Sequence, residues 1–597
     1  MRKNGIHNFW KTLGQTLNPK KVKSSNTLHK LFYKNEEIKG DLNIANAMNK
    51  HFCEVGYEIN KNIPATPGHF KDYLQNKISE TFYLSPVIEM EVASELQKLN
   101  SNKSAGPDTL KPKLIKLCKE EILTPLTILF NKSIAAGMYP SEFKLAKVIA
   151  LYKKNSRSVP SNYRPISLLN CFNKIFESIV SKQLLKFIEK HKILYINQFG
   201  FRKGYSTTLA LIDVVDYIRK AIDNNEYAIG IFLDLEKAFD SIDHEILLFK
   251  LSHYGFRGHV NNFLRSYLNQ RQQYTRINNC NSNLSYIKYG VPQGSILGPL
   301  LFSLYINDIG QAMSNCKTNL FADDTAMIFK HKNIDQLKAT CENSLKSICS
   351  WFKLNKLSLS LGKSSFLIFH GKKKNPKNEI NKILIDGHEI HRVKSVKYIG
   401  LHLDEKLTWN IHIDELCKTL TKYFSVFYNL RHIINKNLAR TIYFTCIHSR
   451  IKYGIEIYGT ASSTKLNKIQ TLQNKLLKVL TKKDPGFSTN QLHSELDILK
   501  VKDIHELYTL VFVYRCINGD MIPNFLNYFT LRENLRTHLL RNGRNIHTPD
   551  TDTQIGRQTA HYTGAILWNN LDHELRKSKS IHIFKRSMTK LLKNRYK

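Results

Sequence analysis

The run Asn319-Leu320-Phe321-Ala322-Asp323-Asp324-Thr325-Ala326-Met327-Ile328-Phe329 sets two adjacent acids between two short segments of apolar and β-prone residues. That pattern reads as strand, tight turn, strand, with both carboxylates at the rim of a sheet, where a hard divalent cation can bind. Asp is also a common turn residue that bonds its own backbone, so the pair alone equally fits an ordinary turn. The rest of the chain has to separate these readings.

The chain carries 89 Lys and Arg against 49 Asp and Glu, a formal net charge of +40 spread along its length. A large folded protein with that excess points to a polyanionic partner, nucleic acid first. Its 597 residues exceed one core, and roughly three or four domains are expected. The ten cysteines form no Cys-x-x-Cys pair and no Cys/His cluster with zinc-binding spacing, which fits reduced thiols. Met1–His7 opens no apolar signal core, and no run approaches the roughly 18 apolar residues of a membrane span. An intracellular protein, nuclear or cytoplasmic, without membrane contact is therefore expected.

In chain order, Asp41 is expected to cap a helix with Ile44, Ala47, Met48, Phe52 and Val55 on its apolar face. Lys147–Lys154 reads as a strand with basic flanks, and Arg164, preceding Pro165, must be extended, its guanidinium directed outward. Gln198–Ser206 mixes two glycines, two cations and aromatics, a composition suited to close approach to a phosphate backbone. Ala228–Asp234 is a continuous apolar run ending in an acid, the signature of a buried central strand. Its terminal Asp is costly without a partner or a cation. Gly290–Leu300 is a glycine-rich loop entering a helix whose first N–H groups are expected to be free for an anion or a base edge. Val396–Asp404 reads as one strand and Gly371–Lys377 as a basic loop. Leu416, Leu420, Tyr423, Phe427, Leu430 and Ile434 form one helix face, and Leu466 to Leu480 a second stripe, both bordered by lysines. Residues from about 490 onward show helices, turns and a basic tail with no legible chemistry.

Asp234, Asp323 and Asp324 brought together would repel one another unless cations neutralise them. Mg²⁺ shares one or two carboxylates with substrate phosphates and water, and two ions about 4 Å apart can activate an attacking hydroxyl and stabilise a leaving pyrophosphate. With so basic a protein, the natural reaction is nucleotidyl transfer onto a nucleic-acid primer.

Phe321-Ala322-Asp323-Asp324, with Asp234-Leu235-Glu236-Lys237-Ala238-Phe239-Asp240 and Gly290-Val291-Pro292-Gln293-Gly294-Ser295, resembles the reverse transcriptase of non-LTR (LINE-type) retrotransposons, near the jockey-like group. Asn162–Ser167, Gln198–Ser206, Tyr305–Asp308 and Tyr398–Gly400 fit the same family in the same order, and the likeness spans most of residues 40–590. It implies an α+β, right-hand polymerase of fingers, palm and thumb with helical N-terminal and C-terminal extensions. The boundaries expected are 1–85 for a helical N-terminal extension, 86–405 for fingers and palm, 406–485 for a helical thumb and 486–597 for a basic C-terminal extension.

The resemblance implies that Asp234, Asp323 and Asp324 hold two Mg²⁺ ions, with Mn²⁺ as the alternative, and that Lys363 protonates pyrophosphate. Lys363 also fits an ordinary surface lysine, and Ser364 follows it where the family often has Thr. Lys153 and Arg164 would hold the triphosphate, Leu235, Gln293 and Gly294 would lie beside the incoming nucleotide, and Phe239 would exclude a ribose 2′-OH. Phe239 also fits a helix-packing residue. The implied partners are an RNA template, a DNA primer or target and dNTPs, with an endonuclease expected from a missing upstream domain or another protein. A catalytically silent, element-derived RNA-binding protein is the alternative. An intron-maturase-like protein is a third reading, against which stands the lack of a recognisable maturase or HNH-type tail.

Overall fold

A computed structural model describes residues 28–371, 380–432, 434–532 and 545–596. The chain begins there with a hairpin, β1 (Lys30–Tyr33) and β2 (Glu36–Lys39), followed by the helix Asp41–Lys61. The region before residue 85 is thus not purely helical. The expected apolar face of the helix is buried, but Asp41 is its first residue rather than its cap. Gly40 takes that position at φ 85°, while the Asp41 carboxylate accepts a hydrogen bond from Asn278 Nδ2 at 3.0 Å. Residues 372–377 of the basic loop lie outside the described residues.

β3 (Leu145–Tyr152) and β4 (Tyr163–Leu168) pair antiparallel. β5 (Tyr227–Leu233) belongs to a different, central sheet. β6 (Arg271–Ile277) runs parallel beside β3 and carries β7 (Cys280–Asn281) and β8 (Ser285–Ile287). β3, β4, β6, β7 and β8 make a five-stranded sheet. β9 (Lys317–Phe321), β10 (Asp324–His331) and β11 (Ser365–Phe369) complete the central antiparallel sheet in the order β11-β5-β10-β9.

That central sheet is covered on both faces, and this explains its unbroken apolar strands. Ile229, Ile231 and Leu233 of β5, with Met327 and Phe329 of β10, enter one core with the helices His244–His253, Leu297–Tyr305 and Ile334–Leu354. Ala228 and Phe232, with Ala326 and Ile328, enter the other, built on the helix Thr207–Asp223 and on helices of the C-terminal half. Gly230 leaves room between Phe369, Phe232 and Ile328, each of which an added Cβ would meet at 3.0–3.2 Å.

Two further hairpins follow, β12 (Lys382–Ile385) with β13 (His388–His391) and β14 (Ser395–Tyr398) with β15 (Leu401–Asp404). The segment expected as one strand is therefore folded back on itself, at Ile399-Gly400, where both residues have positive φ. Beyond it the described chain is mainly helical. The first expected stripe is divided at Lys422 between the helices Asn410–Thr421 and Tyr423–Leu430, yet Leu416, Leu420, Tyr423 and Phe427 are all buried. The second stripe lies on the helix Ser463–Thr481.

The helix Thr207–Asp223 joins the two halves through polar contacts as well as apolar ones. Arg219, fully buried, donates to Ile457 O at 3.2 Å, to Thr460 Oγ1 at 2.8 Å and to Gln558 O. Asp216 accepts from the Tyr528 hydroxyl and from His561 N. Among the described residues no helix is long and apolar enough to cross a membrane.

Glu456, on the short helix Ile455–Tyr458, is buried and its Oε2 has no hydrogen-bond partner. Burial pushes its carboxyl up to about 7. A folded-state value above the unfolded one means that stability is fully present below about pH 4.5 and falls as pH rises toward 7, because only the unfolded chain ionises freely over that interval. Glu456→Gln is therefore expected to stabilise the protein by about 2–3 kcal/mol at pH 8, with the gain vanishing near pH 4.5. Thermal melting of both proteins across that range checks it.

Candidate active site

The acids meet at one end of the central sheet. Phe321 of β9 pairs with Asp324 of β10, leaving a two-residue turn of Ala322 and Asp323, with Ala322 at φ 56°. A left-handed residue in such a turn matches the twist of the flanking strands. β10 pairs with β5 as far as Thr325 opposite Leu233, and Asp324 and Asp234 flank that last pair at the same end of the sheet. Asp323, at the turn, completes the group.

Asp234 is fixed from the segment before β11. Its carbonyl accepts from Ser360 N at 2.8 Å, its N–H donates to Ser364 Oγ at 3.4 Å, and Leu235 bridges Leu359. This arrangement brings in Lys363, whose Nζ lies 3.0 Å from Asp234 Oδ2. Ser364 supplies the hydroxyl contact to the Asp234 N–H.

Burial raises the Asp323 carboxyl above its ordinary range; the charge of Asp234 adds to this, and Arg164 and Lys153 oppose it. Asp324 keeps an exposed face, yet the protein around it pushes its carboxyl up to about 6, with Asp323 and Asp234 contributing. Lys153 is held below its usual value by burial and then by the like charges of Arg164 and Lys363. Arg164 is exposed on β4, opposite Leu151 of β3, in the extended conformation its proline neighbour requires. Three acids and three cations therefore share one electrostatic neighbourhood.

Phe239 is half-buried, stacked on Phe302 at 4.8 Å and edge-on to Phe201 at 6.1 Å. Gln293 is committed within the protein: its Nε2 donates to both carboxylate oxygens of Asp240 at 2.9 Å, and its carbonyl accepts from Ser167 N. Burial pushes Asp240 up to about 6, opposed by Gln293 and Lys237. Gly294, at φ 137°, lies so close to β4 that an added Cβ would sit 2.5 Å from Ser167 O.

One expectation about the loops is overturned. The start of the helix Leu297–Tyr305 does not offer free N–H groups: the buried Glu177 takes Ile296 N at 2.5 Å and Leu297 N at 3.4 Å, and Ser295 Oγ takes Gly298 N at 3.0 Å. The Gln198–Ser206 loop turns Gly200 and Arg202 inward and leaves Phe201, Lys203 and Gly204 exposed. Gly200 permits contact with the acid-bearing turn, since an added Cβ would lie 2.4 Å from Ala322 N. Phe199 N donates to Leu320 O at 2.7 Å, and Arg202 donates to Tyr195 O at 2.9 Å. Lys237, which the sequence reading passed over, joins the rim: its Nζ donates to Tyr163 O at 3.3 Å, and its charge reaches Asp240, Lys153 and Lys363. Its signal was its place inside the Asp234–Asp240 motif.

Among the described residues no three His, Cys, Asp or Glu side chains close a ligand shell. The donor set is instead an open rim of carboxylate oxygens raised by burial and mutual charge. That chemistry fits an oxophilic divalent cation that takes its remaining ligands from phosphate and water, and it does not fit zinc.

Residues 152–403 match the reverse transcriptase (RNA-dependent DNA polymerase) family. The chain is 29% identical over 445 residues to the RNA-directed DNA polymerase from mobile element jockey of Drosophila melanogaster, covering 72% of this chain and 48% of that protein. It is 26% identical over 484 residues to the probable RNA-directed DNA polymerase from transposon BS of the same species, covering 79% and 52%. To the probable RNA-directed DNA polymerase from transposon X-element the identity is 27% over 441 residues, covering 72% and 48%. The chain spans about half the length of these curated relatives. Asp234 and the Asp323-Asp324 pair thus lie at one sheet rim inside the segment, residues 152–403, that matches the reverse transcriptase family.

Proposed function

We infer that this protein is an RNA-directed DNA polymerase that copies RNA into cDNA from a DNA primer 3′ end. The observation that carries this reading is the β5–β10 register, which brings Asp234 and Asp324 to one end of the central sheet next to Asp323, with Lys363 at 3.0 Å from Asp234. A catalytically silent RNA-binding protein would have no need of such a costly cluster of partly buried, mutually repelling acids.

The central sheet is read as the palm, residues from 86 that precede it together with the β3–β4 sheet as fingers, and the helices after residue 406 as a thumb. Asp234, Asp323 and Asp324 would hold Mg²⁺, or Mn²⁺ in its stead. When bound, the ions lower the pKa of the primer 3′-OH and neutralise charge on the transferring phosphorus and the leaving pyrophosphate. Lys153 and Arg164 grip the triphosphate. The Leu235 backbone, Gln293 and Gly294 form the floor beside the nucleotide, with Gln293 held still by Asp240. Lys363 gives its proton to the leaving pyrophosphate.

Primer extension on an RNA template with dNTPs and Mg²⁺ or Mn²⁺ tests the assignment. Extension of the primer by the wild type is expected, and failure with both metals would refute it. Phe239, backed by Phe302, forms a rigid wall against a ribose 2′-OH. Phe239→Val is expected to raise incorporation of ribonucleotides relative to deoxynucleotides by about 10-fold or more, the discrimination a steric contact of roughly 1.4 kcal/mol supplies. Single-nucleotide incorporation kinetics with dNTP and rNTP measure the ratio.

A further inference from the structure

The C-terminal helix Ile581–Asn594 carries His582, Lys585, Arg586, Lys590 and Lys593 on one stripe, opposite the buried Phe584, Met588 and Leu592. This stripe lines a groove of about 580 Å³ together with Ser494, Asp497, Thr589 and Asn594. Across from it, a helical run from Lys436 to Lys452 brings Arg440, Phe444, His448 and Lys452 along one side at four-residue intervals. The middle of that run, Phe444–His448, is a π-helical turn, a form concentrated at functional sites.

The two stripes converge. Asp497 accepts from Arg440 Nη2 at 2.8 Å and lies 2.5 Å from Lys593 Nζ. Tyr508 forms a floor between them, with Lys452 Nζ at 4.4 Å and Lys585 Nζ at 5.4 Å from its ring centre. Rings continue from there: Tyr508 to His448 at 6.3 Å, and His448 to Phe444 at 5.0 Å, where Phe444 is 36% exposed. Arg440 and Lys593 thus share Asp497, Lys452 and Lys585 flank Tyr508, and Arg586 and Lys590 line the groove beside Lys585 and Lys593. Lys452, Lys585, Arg586 and Lys590 form no ion pair among the described residues.

Like charges held together over an aromatic floor cost energy unless an anion joins them. Burial, then the charge of Lys452, already lowers the affinity of Lys585 for its proton. A lone phosphate would satisfy the cations but not the exposed ring edge. A duplex would satisfy the cations but keep its bases stacked. An unpaired strand satisfies both, since its backbone tracks a cationic groove while its bases stack on aromatic rings. Ser494, Thr589 and Asn594 add hydroxyl and amide partners for a ribose 2′-OH.

We propose that the groove between the C-terminal helix and the Lys436–Lys452 run is a second nucleic-acid site that binds single-stranded RNA. It shares no residue with the acid rim, and binding there needs neither metal nor catalysis. Its failure and the failure of the polymerase reading are therefore separable.

The test is fluorescence anisotropy with a labelled oligouridylate of about 20 nucleotides, in EDTA and without dNTPs, across a salt series. Reversing Lys585, Arg586 and Lys590 together to Glu is expected to weaken binding by about 10-fold or more and to lower the salt slope by roughly 2, as three lost phosphate contacts require. A charge-matched control, Lys132, Lys332 and Lys346 to Glu, uses exposed lysines outside both sites and is expected to stay within about threefold, the scale of a general net-charge effect. Equal losses in the two triple variants would overturn the proposal. If the first variant melts early, the Gln triple replaces it with the same expected slope change, and an unchanged slope overturns the proposal. Phe444→Leu keeps apolar bulk but removes the ring, and about a threefold or larger loss on single-stranded RNA is expected. The matching oligothymidylate is expected to bind more weakly, and equal or tighter binding would overturn the assignment to RNA. Tighter binding of duplex DNA than of single-stranded RNA would overturn it as well.

Discussion

Replacing Asp323 with asparagine is expected to lower primer extension by about 10³-fold or more, roughly 4 kcal/mol of transition-state stabilisation, while leaving the protein folded and slightly more heat-stable. The two halves of this expectation have one cause. Asp323, Asp324 and Asp234 occupy one sheet rim, where burial comes first and mutual charge second in raising Asp323 and in pushing Asp324 up to about 6. Each charge in that group opposes the others until cations arrive. Asparagine keeps the shape and the turn chemistry of Asp323 and removes only its charge, so the folded protein loses a repulsion and the reaction loses a ligand. Steady-state extension assays and thermal melting of the two proteins without divalent ions measure both effects. An inactive variant that melts well below the wild type would mean that the turn had failed rather than the chemistry. An active one would remove Asp323 from the metal set.

The central sheet was readable because its constraints are local. An unbroken apolar run ending in Asp234, and two β-prone runs around Asp323-Asp324, can hardly form anything except buried strands with acids at their ends. What eluded the sequence depends on distant partners. Glu177 caps the helix entered after Ser295 from 119 positions away, and in the sequence it is one more acid on an amphipathic helix. Gln293 is turned toward Asp240 by a contact that no spacing predicts. Gly200 was noticed as a glycine of a phosphate-approaching loop; its reason is the backbone of Ala322, and only the packed hairpin reveals it. The break of β14 from β15 had a local signal in Gly400, at φ 83°, but the alternating pattern across it looked continuous. The basic stripe after Ile581 is visible at helical spacing, whereas its aromatic neighbours come from elsewhere in the chain: Tyr508 lies 77 positions before Lys585, and Phe444 and His448 earlier still.

The buried ion pair under the site should dominate stability. Lys250, fully buried, lies 2.5 Å from Asp308 Oδ1 and donates to Tyr305 O at 2.6 Å, and Trp351 Nε1 donates to Asp308 Oδ2 at 3.1 Å. Burial lowers the pKa of Lys250 and Asp308 opposes that shift. Removing one partner strands the other charge in the core, so Lys250→Met is expected to cost about 3–5 kcal/mol. The double change Lys250→Met with Asp308→Leu is expected to recover most of that loss, because two apolar residues leave nothing unpaired. Denaturant midpoints of the two single variants, the double variant and the wild type give the coupling directly. The damage should reach the acids. Asn307, beside Asp308, accepts from Tyr195 N at 2.6 Å and donates to Ile193 O at 2.8 Å, anchoring the segment whose Gly200 presses on Ala322. Loosening this anchor frees the turn that carries Asp323, so Lys250→Met should lose extension activity at temperatures below its own melting point, and the double variant should regain it. Full activity in Lys250→Met up to its unfolding transition would show that the pair stabilises the core without holding the acids in register.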